Sequence, residues 1–215
     1  ASGRLSTIVE KRFPYYRRVL PQDLPEQLLP YQVVHQYWTG ENKWPVLQLG
    51  PGIFTINCTD EAYDWEKGYR KLIEEGVNWL MQSYKQALNI GLASLRYIDA
   101  IKVDDYGGID GGWQNFIKDH LNFEYNNHFN TRGRQRQIQV NQTFELDEGS
   151  DLQLQIADAI RNNQKALAWQ TAIIKKTTFD VEGLLNWADY AHSITHKLFQ
   201  EMLKPDLYAS FSRKN

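Results

Sequence analysis

An α+β domain built mainly on antiparallel sheet is the fold class this sequence predicts, and three observations predict it. Short runs rich in Val, Ile, Tyr, Trp and Thr alternate apolar with polar residues, and glycine, proline and asparagine turns separate them. Two long segments, 63–88 and 181–203, instead repeat apolar residues every three to four positions, the period of an amphipathic helix. The strand runs also come in consecutive groups, which reads as meanders.

In chain order, 5–13 reads as a short helix stopped by Pro14, and the proline-rich passage up to Pro30 as an extended connector. Residues 31–39 begin a three-stranded antiparallel meander. Gly40-Glu41-Asn42-Lys43 turns the chain into 46–49, and Gly50-Pro51-Gly52 separates that strand from 53–57. In 63–88, Trp65, Tyr69, Leu72, Gly76, Leu80, Tyr84 and Leu88 fall on one stripe, so a long helix should lie across the sheet.

The second half opens with a strand at 92–103. Gly107-Gly108 and Gly111-Gly112 then bracket a loop before a short helix at 113–121. Alternation in 138–146, 152–156 and 167–173 predicts three more strands, each with one buried and one wetter face. The closing helix, 181–203, carries Leu184, Leu185, Ala188, Ala191, Thr195, Leu198 and Met202 on its inner stripe. Pro205 stands beyond its end, and the tail 208–215 is expected to fray. Leu72, Leu80, Leu185 and Leu198 are the leucines expected deepest under the two long helices.

Side by side, the halves 1–90 and 91–205 repeat one order: short helix, three strands, long helix, with a further strand leading the second. The expectation is a pseudo-duplicated single domain over 1–215, with one continuous curved sheet and both long helices on one face; two packed sheets are the alternative. On that scheme the first half lacks a leading strand, so a natural N-terminal strand is expected to be absent from this chain.

Composition narrows the function classes. In 215 residues, 24 basic against 26 acidic side chains give a formal charge of −2, which supplies no overall field for nucleic acid or an anionic membrane. A single cysteine, Cys58, cannot close an intramolecular disulfide, and this fits a reducing compartment, with the cytoplasm as the default. No stretch approaches the roughly 18 apolar residues of a membrane span, and Ala1-Ser2-Gly3-Arg4 leads into no signal core. Seven Trp, twelve Tyr and nine Phe supply large core area and also the side chains commonest at interfaces.

The passage through Gly52-Ile53-Phe54-Thr55-Ile56-Asn57, Tyr69, Leu95-Arg96-Tyr97-Ile98-Asp99 and the late 191–199 helix resembles a sporadically distributed bacterial family of unassigned function. The shared motifs are structural and imply no enzyme mechanism. Members begin with a β-strand ahead of the first helix, and the sporadic distribution implies an accessory role such as defence or a toxin and antidote pair.

The candidate chemistry is sparse. His192 and His196 stand four apart on a helix, three and seven after Asp189, a spacing that could place two imidazoles and a carboxylate before a metal. Ser193 sits where a zinc protease needs glutamate, and flanking or capping histidines are the expected reading, with no metal and no cofactor. A nucleophile would use Cys58 with His35 or His128, or Ser94, but there is no Gly-x-Ser-x-Gly elbow, and a small buried apolar cysteine is the simpler reading. The glycines at 107, 108, 111 and 112 match neither a dinucleotide fingerprint nor a phosphate loop, and Asp104, Asp105 and Asp110 would repel phosphate.

Arg132, Arg134 and Arg136 alternate with Gly133 and Gln135, so an extended segment would present three guanidinium groups on one side. With Lys118, His128, Phe123, Tyr125 and Phe129 they make a stretch suited to a protein hot spot or single-stranded nucleic acid. The bland reading is a solvated edge strand protected by charge. Tyr31, Tyr37, Trp38 and Trp44 could floor a ligand pocket but fit packed core better, with Trp44 the one expected at the surface. The favoured class is therefore a non-catalytic protein-binding or regulatory module using Tyr125, Phe129, Arg132, Arg134, Arg136 and Trp44. The alternatives are nucleic-acid binding through a curved sheet or the arginines, and a small-molecule enzyme using scattered Asp99, Arg96, His192 or Glu145. The segment 107–136 is expected to be the most mobile.

Overall fold

The computed structural model describes residues 1–21, 30–59, 63–130 and 132–212. Contacts divide the chain into two compact units, 1–89 with 180–185 and 90–179 with 186–215. Among the described residues the fold is α+β, with five α-helices and two four-stranded antiparallel sheets. No helix there is long and apolar enough to cross a membrane.

The first unit runs α1 (Ser2–Val9), β1 (Tyr15–Arg18), β2 (His35–Gly40), β3 (Lys43–Gly50), β4 (Ile53–Asn57) and α2 (Arg70–Ser83), and its strands lie in sequence order. Its turns follow from residue type: Asn42 at φ 55 joins β2 to β3, and Pro51 followed by Gly52 at φ 74 joins β3 to β4. Cross-strand register aligns Tyr37 with Leu47, Leu47 with Ile56, and Leu49 with Phe54, so all five share one face. That face is covered by Leu5 and Val9 of α1, Phe13, and Leu72 and Leu80 of α2. Gly76 lets α2 approach β4 closely, since a Cβ there would fall 2.5 Å from the Ile56 Cδ1. One π-helical turn, Trp65–Tyr69, leads into α2, with the Asp64 carboxylate accepting the Lys67 N–H at 2.8 Å.

The second unit contains β5 (Ala93–Lys102), α3 (Gly112–His120), β6 (Gln139–Leu146), β7 (Ser150–Arg161), β8 (Gln164–Lys175), α4 (Val181–Met202) from residue 186 onward, and α5 (Pro205–Ser212). Its sheet order is β5-β8-β7-β6. Asn162 and Asn163, at φ 51 and 61, make the two-residue left-handed turn that matches strand twist and fixes the long β7–β8 hairpin. The inward row Leu154, Ile156, Leu167 and Trp169 packs with Trp113, Phe116 and Ile117, and with Met202 and Leu207. The ends of α3 and α4 are tied together: Lys204 N–H donates to the His120 carbonyl at 2.9 Å and Asn122 N–H to Met202 at 2.7 Å.

Several expectations are corrected. The sheet is not one curved surface, because β4 and β5 pair with different partners. The first helix spans 2–9 rather than 5–13, and the second ends at Ser83, where Tyr84 turns extended at φ −96, ψ 144. The connector up to Pro30 holds β1, an exposed edge strand paired with β2; its residues 22–29 lie outside the described residues. Pro205 stands beyond the end of α4, as expected, but it also opens a further helix, α5, where its missing N–H costs nothing. The tail 208–212 is thus helical and packs Tyr208 and Phe211 on the core, while 213–215 lie outside the described residues. On α4 the buried stripe is Leu184, Trp187, Ala188, Ala191, Thr195 and Met202, and Leu185 and Leu198 are only half-buried.

Both units share helix, three-strand meander and helix. They differ in the fourth strand, which joins the first meander strand in one unit (β1 on β2) and the last in the other (β5 on β8). Leu72→Ala and Leu80→Ala, at fully packed positions, should each cost about 2 to 5 kcal/mol, whereas Leu185→Ala and Leu198→Ala should cost less. Thermal or denaturant melts of the four variants check the order.

Candidate functional site

The glycine-rich segment opens with two defined turns. A short helical turn, Asp104–Tyr106, ends at Gly107 in the left-handed region, and the Gly108 N–H returns to the Val103 carbonyl at 3.0 Å. Gly107, Gly108 and Gly112 have φ 86, 77 and 84, so these glycines make turns at the entry to α3 and form no phosphate cradle. Trp113, Phe116 and Ile117 then anchor α3 in the core.

After α3 none of the described residues of 121–138 lies in a named strand, and the chain is held at several points. Gln114 Nε2 donates to Asn126 at 2.5 Å, the Tyr125 hydroxyl to Gln135 at 2.7 Å, and the Trp113 indole to the Arg136 carbonyl at 3.3 Å. Tyr125 packs on the core, and burial pushes its phenol above the ordinary range against the opposing Gln135 bond, so it acts as a donor. Phe129 stands out at 69% exposed.

The arginines do not form the expected strip. Arg132 is at φ 49, with its N–H on the Asn130 side chain at 2.8 Å, so the backbone is not extended there. Arg134 donates to the Ile109 carbonyl at 3.3 Å. The exposed guanidinium groups of Arg132 and Arg136 make no ion pair among the described residues. The edge-strand alternative fails too, because β6 starts only at Gln139. Trp44, expected at the surface, is half-buried with its ring centroid 5.0 Å from that of Trp38, whereas Tyr31 is 75% exposed.

The other candidates disperse. Cys58 is half-buried just past β4, His35 is buried with Nδ1 2.9 Å from the Tyr16 hydroxyl, and His128 belongs to the other unit. Arg96 and Glu145 lie on the sheet face opposite Tyr97 and Asp99. His192 meets the sheet: its Nδ1 lies 2.8 Å from the Tyr97 hydroxyl. His196 is exposed, its ring centroid 5.8 Å from that of His192, and the Gln200 amide lies 3.0 Å from its Nε2. Among the described residues no group of three or more His, Cys, Asp and Glu side chains could hold a metal.

Two features escaped sequence reasoning. On β1, Tyr15 and Tyr16 are 37% and 49% exposed, and Arg17 lies 5.9 Å over Trp38 while donating to Asn42 at 3.0 Å. The run Tyr15-Tyr16-Arg17-Arg18 after Pro14 carried that signal. Asp99, two residues after Tyr97 on the same face of β5, pairs in register with Trp169, whose buried indole N–H has no hydrogen-bond partner among the described residues. Burial pushes the Asp99 carboxyl up to about 6.

No protein-family model matches the chain, no curated protein matches it, and no solved structure matches its fold.

The Asp99 shift sets a pH dependence. Its folded value lies above the unfolded 3.8, so the native state holds the proton more tightly and stability falls as pH rises from about 4 to about 6, then stays lower. At 1.36 kcal/mol per pH unit this is at most about 3 kcal/mol. Asp99→Asn should therefore match the parent near pH 4 and exceed it at pH 8, as urea melts at both pH values will read.

Proposed function

We propose that the chain is a non-catalytic protein-binding or regulatory module that recognises its partner through the segment after α3. The observation that carries this reading is the exposed Phe129 on the same segment as Arg132 and Arg136, whose guanidinium groups make no ion pair among the described residues, with the backbone at Arg136 tied to α3. An apolar anchor flanked by arginines is the composition of a binding hot spot, and a segment held by its own hydrogen bonds loses less freedom on binding. The dispersal of Cys58, His35, Arg96 and Glu145 supports binding over catalysis. A place in the bacterial cytoplasm, in the sporadically distributed family and in an accessory system such as defence or a toxin and antidote pair, belongs to the same proposal.

Nucleic acid is the competing ligand for the same arginines. Replacement of Phe129, Arg132 and Arg136 with Ser should leave the melt unchanged and weaken capture of a specific partner from host lysate at least about tenfold. Capture that survives the triple change removes this segment as the site. Affinity for an oligonucleotide that falls steeply between 50 and 200 mM salt, roughly as counterion release requires, selects nucleic acid instead.

A further inference from the structure

The second sheet, β5-β8-β7-β6, has two outer strands, and their edges carry different residues. β5 holds Arg96, Asp99 and Lys102, with Asp99 on the inward face, and charges so placed oppose pairing with another strand. β6, Gln-Val-Asn-Gln-Thr-Phe-Glu-Leu, holds no proline and no basic residue, and Glu145 is its one charge. Six of its eight residues are exposed, Phe144 at 44% although it lies on the inward face opposite Leu152. In the first unit the corresponding edge, that of β2, is filled by β1, the strand after α1. The segment after α3 does not fill the edge of β6: Trp113 holds the Arg136 carbonyl, Tyr125 holds Gln135, and β7 is the only strand partner of β6 among the described residues.

The phase of the hydrogen bonds follows from the Asn162-Asn163 turn. Arg161 and Gln164 close it as a bonded pair, so the odd-numbered residues of β7 bond to β8 and its even-numbered ones to β6. The Asp158 N–H on the Ile138 carbonyl at 3.1 Å agrees. Even positions of β6 therefore serve β7, and the N–H and C=O groups of Gln139, Asn141, Thr143 and Glu145 point outward. An antiparallel second copy, related by a two-fold axis at Gln142, matches this edge along its length. Asn141 then exchanges bonds with Thr143 of the second copy and Gln139 with its Glu145, so no two carboxylates meet. On the inward face Val140 lies opposite Phe144 of the second copy, which gives the exposed phenyl ring an apolar cross-strand neighbour. Moving the axis to Asn141 or Thr143 sets Val140 or Phe144 against Gln142.

We propose that β6 is a self-association edge, through which two copies of this chain join their second sheets by antiparallel β6–β6 pairing centred on Gln142. The occupant is a second copy because the edge complements itself in bonding phase, in apolar pairing and in charge. Such a contact is isologous and uses each β6 once, so it closes at a dimer. It uses none of the residues after α3 and does not depend on the partner-recognition reading.

Sedimentation of the full chain should show a monomer–dimer equilibrium with a Kd of about 1 mM or tighter. Asn141→Lys together with Thr143→Lys sets lysine against lysine across the axis, and should weaken the dimer at least about tenfold with the melt unchanged. Asn141→Lys with Thr143→Glu sets lysine against glutamate and should restore it. In a Cys58→Ser background, Gln142→Cys should oxidise to a disulfide-linked dimer, because the Cα atoms of a non-bonded antiparallel pair lie about 4.5 Å apart, within disulfide reach. Asn141→Cys should not, because each Asn141 faces Thr143 and not its own copy. A chain that stays monomeric up to about 1 mM, a dimer indifferent to the two lysines, or equal cross-linking of the two cysteine variants overturns the proposal.

Discussion

The register of the β7–β8 hairpin is the constraint on which the second unit depends. Asn162 and Asn163 both adopt the left-handed conformation that a two-residue turn requires, and asparagine tolerates it because its side chain can bond locally. From that turn twelve residue pairs follow without a break, from Arg161–Gln164 to Ser150–Lys175. A slip of one residue would carry Leu167, Trp169 and Ile173 to the opposite face, and with them the row that receives α3 and α4. It would also move Thr171, to which Tyr97 is registered, and so the position from which Tyr97 meets His192.

The segment after α3 inherits its shape from that core. Trp113 is buried among the hairpin residues, yet its indole N–H reaches the Arg136 carbonyl, so the same side chain packs the interior and pins the surface. Glycine count alone suggested a mobile passage. Three of the four glycines instead occupy conformations that other residues rarely adopt, and such glycines specify a path as much as they loosen one. The arginines are therefore displayed from a tethered backbone.

Periodicity made most elements legible. β5, β7, α3 and α4 show clean periods because each has one buried and one wetter side, whereas β6 alternates in sequence although its residues are all exposed or half-buried. β1 was missed for the opposite reason: as an edge strand with Tyr15, Tyr16 and Arg17 all exposed, it carries no alternation. The division into two sheets was not legible either, since alternation reports which face is buried and is silent on which edge is paired. Leu185 and Leu198 fit a helical stripe as well as Leu184 and Ala191 do, and the small rotation of α4 that chose between them is set by tertiary packing. At the site, alternation of Arg132, Arg134 and Arg136 described an extended segment, and the left-handed backbone at Arg132 removed the premise.

Asp99 shows how the two levels can disagree without either being in error. The inward positions of β5, Leu95, Tyr97, Asp99 and Ile101, follow a strict period of two, so the strand reads as amphipathic whether or not its third inward residue is charged. Tertiary structure then places that carboxylate beside the indole of Trp169, where desolvation raises it and no cation offsets the effect. Two polar groups left in this state on neighbouring strands oppose stability at neutral pH, whereas an asparagine would fill the same space without charge. The same inward face carries the Tyr97 hydroxyl to His192, so polar groups on β5 do find partners where α4 supplies them. The contrast between Tyr97 and Asp99, two residues apart on one strand, is between a polar group that α4 partners and one that burial alone shifts.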